Sequence, residues 1–481
     1  MRPRVVIVVC DGLRPDRIDP VRTPALWRLR EEAVCFARSR TVFPSETRVA
    51  AASLVTGAWP GAHGLLANDF YDPAIFADRA IATANADDLA ALTRARGRLL
   101  ARSTLAERLA QAGLRYAVVS TASPGTSRII AAGAAPPHGF AWSIHPGIGT
   151  SPAAAEEIER RFGPLPAYAI PRDATVDYAA RVLTDHVLPH VDPDLAIFWS
   201  GEPDSTYHYR GVGSPEAAQA ERAADAVVAR VLAWREASGE AERTQLIVTS
   251  DHGHVSGIER LDVVEALRGA GWPIARGRPG DGEIFVVPGA ASFVYGVGAR
   301  SRAERRMLDW LADQPWFGAA FTRSGGAGIA SIDALGIAHP LQPDLVFTLR
   351  QSDEADPLGV AGICVYDADI PLGGGMHGGL HPRELANVLI LSGSAFGPSP
   401  RRVSVPAGLL DVAPTALSLL GVHADDLVGH ALDRMPAAGS WEAYRAERLA
   451  PAAARAAIGL VRARRGHAIY LEGLDSGDGA G

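Results

Sequence analysis

The stretch Asp177–Gly201, DYAARVLTDHVLPHVDPDLAIFWSG, carries a helical segment, a Pro/Asp break and a continuous apolar run, Leu195–Trp199. A strand that is apolar throughout, rather than alternating, is one covered on both faces, as in a parallel sheet between helices. Ser103–Thr121 (STLAERLAQAGLRYAVVST) repeats the unit with a glycine stop, and a long helix from Pro215 leads into Thr244–His254 (TQLIVTSDHGH). Upstream, Val5–Val9 is β-branched and apolar, and Thr23–Ala33 (TPALWRLREEA) reads as a helix with a threonine cap and proline at its first position. Downstream, Arg383–Gly393 (RELANVLILSG) holds another buried strand and Leu409–Gly421 (LLDVAPTALSLLG) a helix ending on glycine. The alternation predicts an α/β fold with a mostly parallel central sheet between helices.

Residues 273–372 change character. Short alternating strands (EIFVVPG, ASFVYGVG, DLVFTLRQ) and one helix (RAERRMLDWLADQ) predict an inserted, smaller α+β subdomain. The core is then 1–272 with 373–440, and 441–481 is expected to be an arginine-bearing helix with a Gly/Asp-rich tail. Residues 122–170, rich in Pro, Gly and Ala, are expected to form loops and short helices over the active face.

The 481 residues are 47% hydrophobic and 21% charged, the balance of a globular chain with a large core. A net charge of −7 gives no footprint for a nucleic-acid polymer and no polybasic membrane patch. Three cysteines imply no disulfide framework, and the apolar run after Met1 is too short for a signal segment or a membrane span, so a cytoplasmic protein is expected. All 47 cationic side chains are arginine. Without lysine, Schiff-base chemistry, lysine-anchored pyridoxal phosphate and a Walker P-loop are excluded.

Functional groups of such sheets gather at the carboxyl ends of the strands. That rule selects Asp11 after the first strand, Asp204 and His208 after Leu195–Trp199, and Asp251 and His252 after Leu246–Thr249. The glycine-rich loop GGGMHGGLH adds His377. Three aspartates and three histidines suit two zinc sites of three ligands each, although another divalent transition metal is compatible with the same donors. Paired ions would clamp the attacking and leaving oxygens of an in-line displacement. In Pro44–Gly57 (PSETRVAAASLVTG), Ser45 can cap the helix, which leaves Thr47 either as part of that cap or as a hydroxyl facing unpaired N–H donors, where an anion is welcome.

The order Asp11, Thr47, Asp204-x-x-x-His208, Asp251-His252, His377 resembles the alkaline-phosphatase superfamily, and within it the type I phosphodiesterase/nucleotide pyrophosphatase branch and the related phosphonoacetate hydrolases. PSETRVAAASLVTGAWPGAHGLLAN matches their nucleophile segment. The resemblance implies that Asp204, His208 and His377 hold one zinc, and that Asp11, Asp251 and His252 hold the other, which also binds Thr47. Thr47 would form a phosphorylated intermediate, with Asn68 and the Thr47 backbone N–H binding the non-bridging oxygens. His254, His381 and His63 are left out of the ligand list, His254 as a residue that orients a ligand and His63 as a structural turn residue.

TRVA stands where the nucleotide-cleaving branch commonly has TFPN, whereas PSET and HGGL are more similar to the phosphonoacetate hydrolases. Those enzymes hold a substrate carboxylate with lysines; Arg128, in Ser120–Arg128, is the candidate replacement. Arg48 is expected to point away from the site, which favours a phosphodiester over a monoester dianion. The expected substrate is thus a small phosphodiester, with a phosphonate as the alternative. The rivals are a mutase of the same superfamily, against which the threonine argues, and a non-catalytic binding protein on the same fold.

Overall fold

The apolar first strand lies in the middle of the largest sheet. The computed structural model describes residues 2–149, 152–326, 330–397, 401–434, 445–450, 453–454 and 459–475. In it, Arg4–Cys10 pairs in parallel with Leu195–Ser200 on one side and Thr244–Thr249 on the other. Eight strands follow the order Arg401–Val403, Val34–Phe36, Leu389–Ser392, Thr244–Thr249, Arg4–Cys10, Leu195–Ser200, Tyr116–Ser120, Gly139–Ser143. Only Leu389–Ser392 runs against its neighbours.

The two faces of the first strand explain its composition. Val5, Ile7 and Val9 join an apolar layer containing Ala50 and Leu54 of the helix Thr47–Thr56. Val6, Val8 and Cys10 join another, with Val227 and Val228 of the helix Pro215–Ala237. Each such side chain, fully buried, contributes about 1.5–3 kcal/mol, so a polar residue at either parity would be strongly destabilising.

Two expectations need correction. Gly139–Ser143, within the segment expected to be loops and short helices, is an edge strand parallel to Tyr116–Ser120. Beyond residue 444 the described residues form strands rather than a helix: Arg445–Leu449, Gly459–Arg465 and Ala468–Asp475 make an antiparallel sheet. Arg462 and Arg464 both reach Glu447 across the strands, and Gly466-His467 closes a two-residue hairpin loop. The expected boundary near 440 and the Gly/Asp-rich end at 476–481 lie outside the described residues.

Within 273–372, Phe285–Val287, Ala291–Tyr295, Leu345–Leu349 and Phe317–Thr322 form a sheet that Ala453–Ala454 extends. Helix Arg302–Ala312 lays Met307 and Leu311 against it. A second sheet joins Gln351–Ala355 and Ala361–Tyr366 to Val255–Arg260 and Gly375–Met376. Those last two strands flank the site directly: one follows Asp251–His254, the other precedes His377. No helix among the described residues is long and apolar enough to cross a membrane.

Candidate active site

The register of three adjacent strands assembles the carboxylates. Cys10 is level with Ser200, and Val9 with Thr249, so their carboxyl ends are nearly flush. Asp11 leaves the central strand, and Asp251 leaves the neighbour on one side. On the other side the chain turns into the short helix Asp204–Arg210, whose first residue donates its N–H to the Asp11 carbonyl at 3.0 Å. His208, one helical turn on, places Nε2 3.3 Å from Asp204 Oδ1.

Thr47 opens the helix Thr47–Thr56, with Oγ1 3.1 Å from His252 Nε2. Ser45 does not cap that helix. Its Oγ instead accepts from Gly378 N–H at 2.9 Å and donates to the Gly379 carbonyl at 3.1 Å, clamping the His377 loop against the segment that leads into Thr47. The glycines of that loop are required by proximity: a Cβ on Gly374 would lie 2.2 Å from the His208 carbonyl oxygen.

Asp11 and Asp251 each have one oxygen held and one left over. Asp11 Oδ2 accepts from the Trp199 indole at 2.9 Å, and Asp251 Oδ1 from the N–H groups of Gly12 and His252 at 3.0 and 3.1 Å. Asp11 Oδ1, Asp251 Oδ2 and Asp204 Oδ1 are buried with no hydrogen-bond partner among the described residues.

The histidines repeat the pattern. His208, His252, His254 and His377 each direct Nδ1 to a backbone carbonyl, of Gly375, Gly253, Gly12 and Ser45, at 2.7–3.2 Å. An Nδ1–H donating there leaves the Nε2 lone pair free. The Nε2 atoms of His208 and His377 then face each other at 3.2 Å, and His254 Nε2 is buried without a hydrogen-bond partner 3.1 Å from Asp204 Oδ1. Converging lone pairs repel unless a cation lies between them. Two groups of metal-ligating side chains result: Asp204, His208, His254 and His377, and Asp11, Asp251 and His252.

Burial, with Asp251 and Asp204 close by, pushes the Asp11 carboxyl well above the ordinary carboxylate range. Burial beside His252, His254 and His208 holds His377 well below the ordinary imidazole value. Burial thus disfavours the charged forms of Asp11 and His377, whereas Asp204 and His208, 3.3 Å apart, favour each other's charge against the cost of burial.

A family model described as type I phosphodiesterase/nucleotide pyrophosphatase matches residues 5–295. The chain belongs to that family. Among solved structures, the phosphodiesterase-family chain is similar in fold to murine ectonucleotide pyrophosphatase/phosphodiesterase 5. The match to an inactive variant of that protein in complex with AMP has a TM-score of 0.61 and 16% identity, over 89% of this chain and 97% of that one. The same murine protein in a second structure gives 0.61 and 15% over the same shares. Comparison with curated proteins gives no match.

In this phosphodiesterase-family chain, Asp11, Thr47, Asn68, Asp204, His208 and His377 line one cavity of about 720 Å3. Asn68 Oδ1 accepts from Arg48 N–H at 3.2 Å, which leaves its amide NH2 directed to the cavity without a protein acceptor among the described residues. Glu46 fixes Asn68 in turn, accepting its backbone N–H. Burial drives the Glu46 carboxyl up to about 7.

The remaining predicted residues fall elsewhere. Arg128, in the last turn of the helix Pro124–Ile130, lines a separate cleft with Arg94, Arg98 and Thr104 and is not brought to Thr47. His63 is fully buried, accepts from Leu65 N–H and meets Ser53 Oγ at 3.0 Å, tying a turn to the helix that carries Thr47. His381 accepts from Arg383 N–H and caps Pro382–Leu385. Two features went unread in the sequence. His254, left out of the ligand list, stands in the first group, and Arg48, expected to point away, lines the cavity. The i, i+2 spacing of His252 and His254 was the available signal, because alternate residues of an extended segment share a face.

Proposed function

We propose that this chain is a two-metal phosphodiester hydrolase that works through a phosphothreonine intermediate. The observation that carries this reading is the set of buried, partnerless carboxylate and imidazole acceptors converging beside the Thr47 hydroxyl. The donor set suits zinc or a similar divalent transition metal: Asp204, His208 and His377, with His254 beside them, would hold one ion, and Asp11, Asp251 and His252 the other. Ions bound there supply Lewis-acid charge that lowers the pKa of a nearby hydroxyl and steadies a leaving oxygen.

The protein's own groups do the rest. Thr47 Oγ forms the bond to phosphorus as the bond to the leaving alcohol or phosphate breaks. Water then attacks the phosphothreonine and returns the hydroxyl. The Asn68 amide NH2 and the Thr47 backbone N–H, both pre-positioned, receive the charge that builds on the non-bridging oxygens. The substrate is a small phosphodiester or pyrophosphate. Phosphonate hydrolysis is the second reading, favoured by two arginines, Arg48 and Arg172, that line the cavity.

The test combines metal analysis with turnover of bis-p-nitrophenyl phosphate, p-nitrophenyl phosphate, a nucleotide 5′-p-nitrophenyl ester and phosphonoacetate. About two metal equivalents per chain, activity lost to chelation and restored by Zn²⁺, and a Thr47→Ala variant at least about a thousandfold slower are expected. Wild-type turnover by Thr47→Ala would overturn the mechanism.

A further inference from the structure

Arg48 lines the cavity next to Thr47, and the mechanism above does not use its side chain. It follows Thr47 in the first turn, and its backbone N–H is already pinned by Asn68. Its side chain is fixed as well: Nε donates to Thr83 Oγ1 at 2.8 Å, and that hydroxyl donates to the Asn68 carbonyl at 2.6 Å. One guanidinium edge is therefore spent on the wall that carries Asn68. The remaining nitrogens have no protein acceptor among the described residues, and no carboxylate lies within ion-pair distance of them.

This is unusual for an arginine so placed. Asp69, Glu46, Asp204 and Asp11 line the same cavity, and none of them forms an ion pair with it among the described residues. A partly buried cation held without a counter-ion costs free energy unless something anionic fills the place. The cavity is where that anion would enter, since Arg48 lines it beside Thr47 and Asn68.

Resting on the ester-hydrolase reading of the same site, we propose that Arg48 clamps a second negative phosphoryl charge of the substrate. A simple diester presents one charge, which the metal ions and the neutral donors of Asn68 and Thr47 can hold. The guanidinium adds a forked, charge-assisted donor on the Asn68 side of the nucleophile, matched to a phosphoryl group carrying more charge than that. The second charge has two sources of one chemistry: the same phosphorus, as in a monoester dianion, or a neighbouring one, as in a diphosphate diester.

The experiment compares wild type, Arg48→Gln and Arg48→Lys, metal-loaded, on three esters: bis-p-nitrophenyl phosphate, p-nitrophenyl phosphate and a symmetric dinucleoside diphosphate. Arg48→Gln should lower kcat/KM by about 10- to 100-fold on at least one doubly charged substrate, the size expected for hydrogen bonds to a charged partner, and by less than about threefold on the singly charged diester. Whichever doubly charged substrate loses more identifies the source. Arg48→Lys keeps the charge without the fork and should fall between.

Inorganic phosphate binding, measured by calorimetry on the same proteins, gives a readout that needs no turnover. Phosphate should bind at least about tenfold more weakly to Arg48→Gln. Equal losses on all three esters, or equal phosphate affinity for wild type and Arg48→Gln, would overturn the clamp. If wild type hydrolyses no ester while phosphate binding still depends on Arg48, the hydrolase reading fails and the clamp stands. Metal content and melting temperature of each variant exclude misfolding as the cause.

Discussion

Trp199→Phe separates orientation of Asp11, proposed above as a metal ligand, from packing around it. The Trp199 side chain is fully buried at the end of its strand, and its indole N–H donates to Asp11 Oδ2 at 2.9 Å while Oδ1 is left partnerless. Phenylalanine keeps most of the ring but removes the donor. A hydrogen bond to a carboxylate contributes about 1.5–3 kcal/mol when buried. The smaller ring leaves roughly 40 Å3, worth about 1 kcal/mol of cavity cost. Only the first term depends on the charge of Asp11. In metal-free protein burial and the neighbouring acids push that carboxyl well above its ordinary range, which favours the neutral form, and a hydrogen bond to a neutral group contributes about 1 kcal/mol. With metal bound Asp11 is ionised, and the full term applies. The variant should therefore lose about 2 kcal/mol of urea stability without metal and more with it. Chelator competition should show one of two sites weakened by about 10- to 100-fold, with the Asp204 site unchanged. Equal weakening of both sites, or no change in either, would reduce Trp199 to a packing residue.

His377→Ala should lose about one metal equivalent and keep its fold, because the side chain projects from a glycine loop held at Ser45 rather than from the apolar layers; wild-type metal content in that variant would remove His377 from the ligands. Glu384→Gln should flatten the pH dependence of stability. Burial raises the Glu384 carboxyl from 4.5 to about 8, so the folded chain holds a proton that the unfolded chain has released over that range. Stability from this group is complete below about pH 4.5 and is lost as pH rises through about 8, with a ceiling of about 5 kcal/mol. Glutamine keeps the acceptor that Gln351 uses at 2.8 Å, so urea midpoints at pH 5, 7 and 9 should fall less steeply in the variant; identical slopes in both proteins would refute the assignment.

The parallel core was legible because a strand buried on both faces has no choice of composition, and the rule that sites lie at strand carboxyl ends then located the acids. Arg4–Cys10, between two partners in flush register, is why Asp11, Asp204 and Asp251 converge. The C-terminal sheet was not legible. Its arginines sit on strands where Glu447 pairs with Arg462 and Arg464, a cross-strand relation that no window of sequence displays. Among the described residues Gly139–Ser143 pairs on one side only, at the sheet edge, and so carries a weaker pattern than a central strand. Arg48 was misplaced for a geometric reason. Side chains on a helix lean toward its N-terminus, so the residue after the first can still reach back into the space in front of the helix.

Where the other first-turn partners go bears on whether Thr47 caps a helix or, as proposed above, carries chemistry. A cap satisfies early N–H groups with a nearby side-chain oxygen. Here that oxygen is remote: Asn68 Oδ1 takes the Arg48 N–H, twenty residues away in sequence. Glu46, just before the helix, turns its carboxylate to the Asn68 backbone instead of to the helix, and Ser45 serves the His377 loop. Capping is thus exported to a residue whose other end faces the cavity, and the device that caps the helix also positions the amide proposed above as an oxyanion donor. Among the described residues the Thr47 hydroxyl is left with one hydrogen-bond partner, His252 Nε2, from a ring whose Nδ1 lies 3.1 Å from the Gly253 carbonyl. With that Nδ1 as the donor, the threonine faces a lone pair. A hydroxyl freed from structural duty, aimed at a lone pair among acceptors that need a cation, is placed as a nucleophile would have to be.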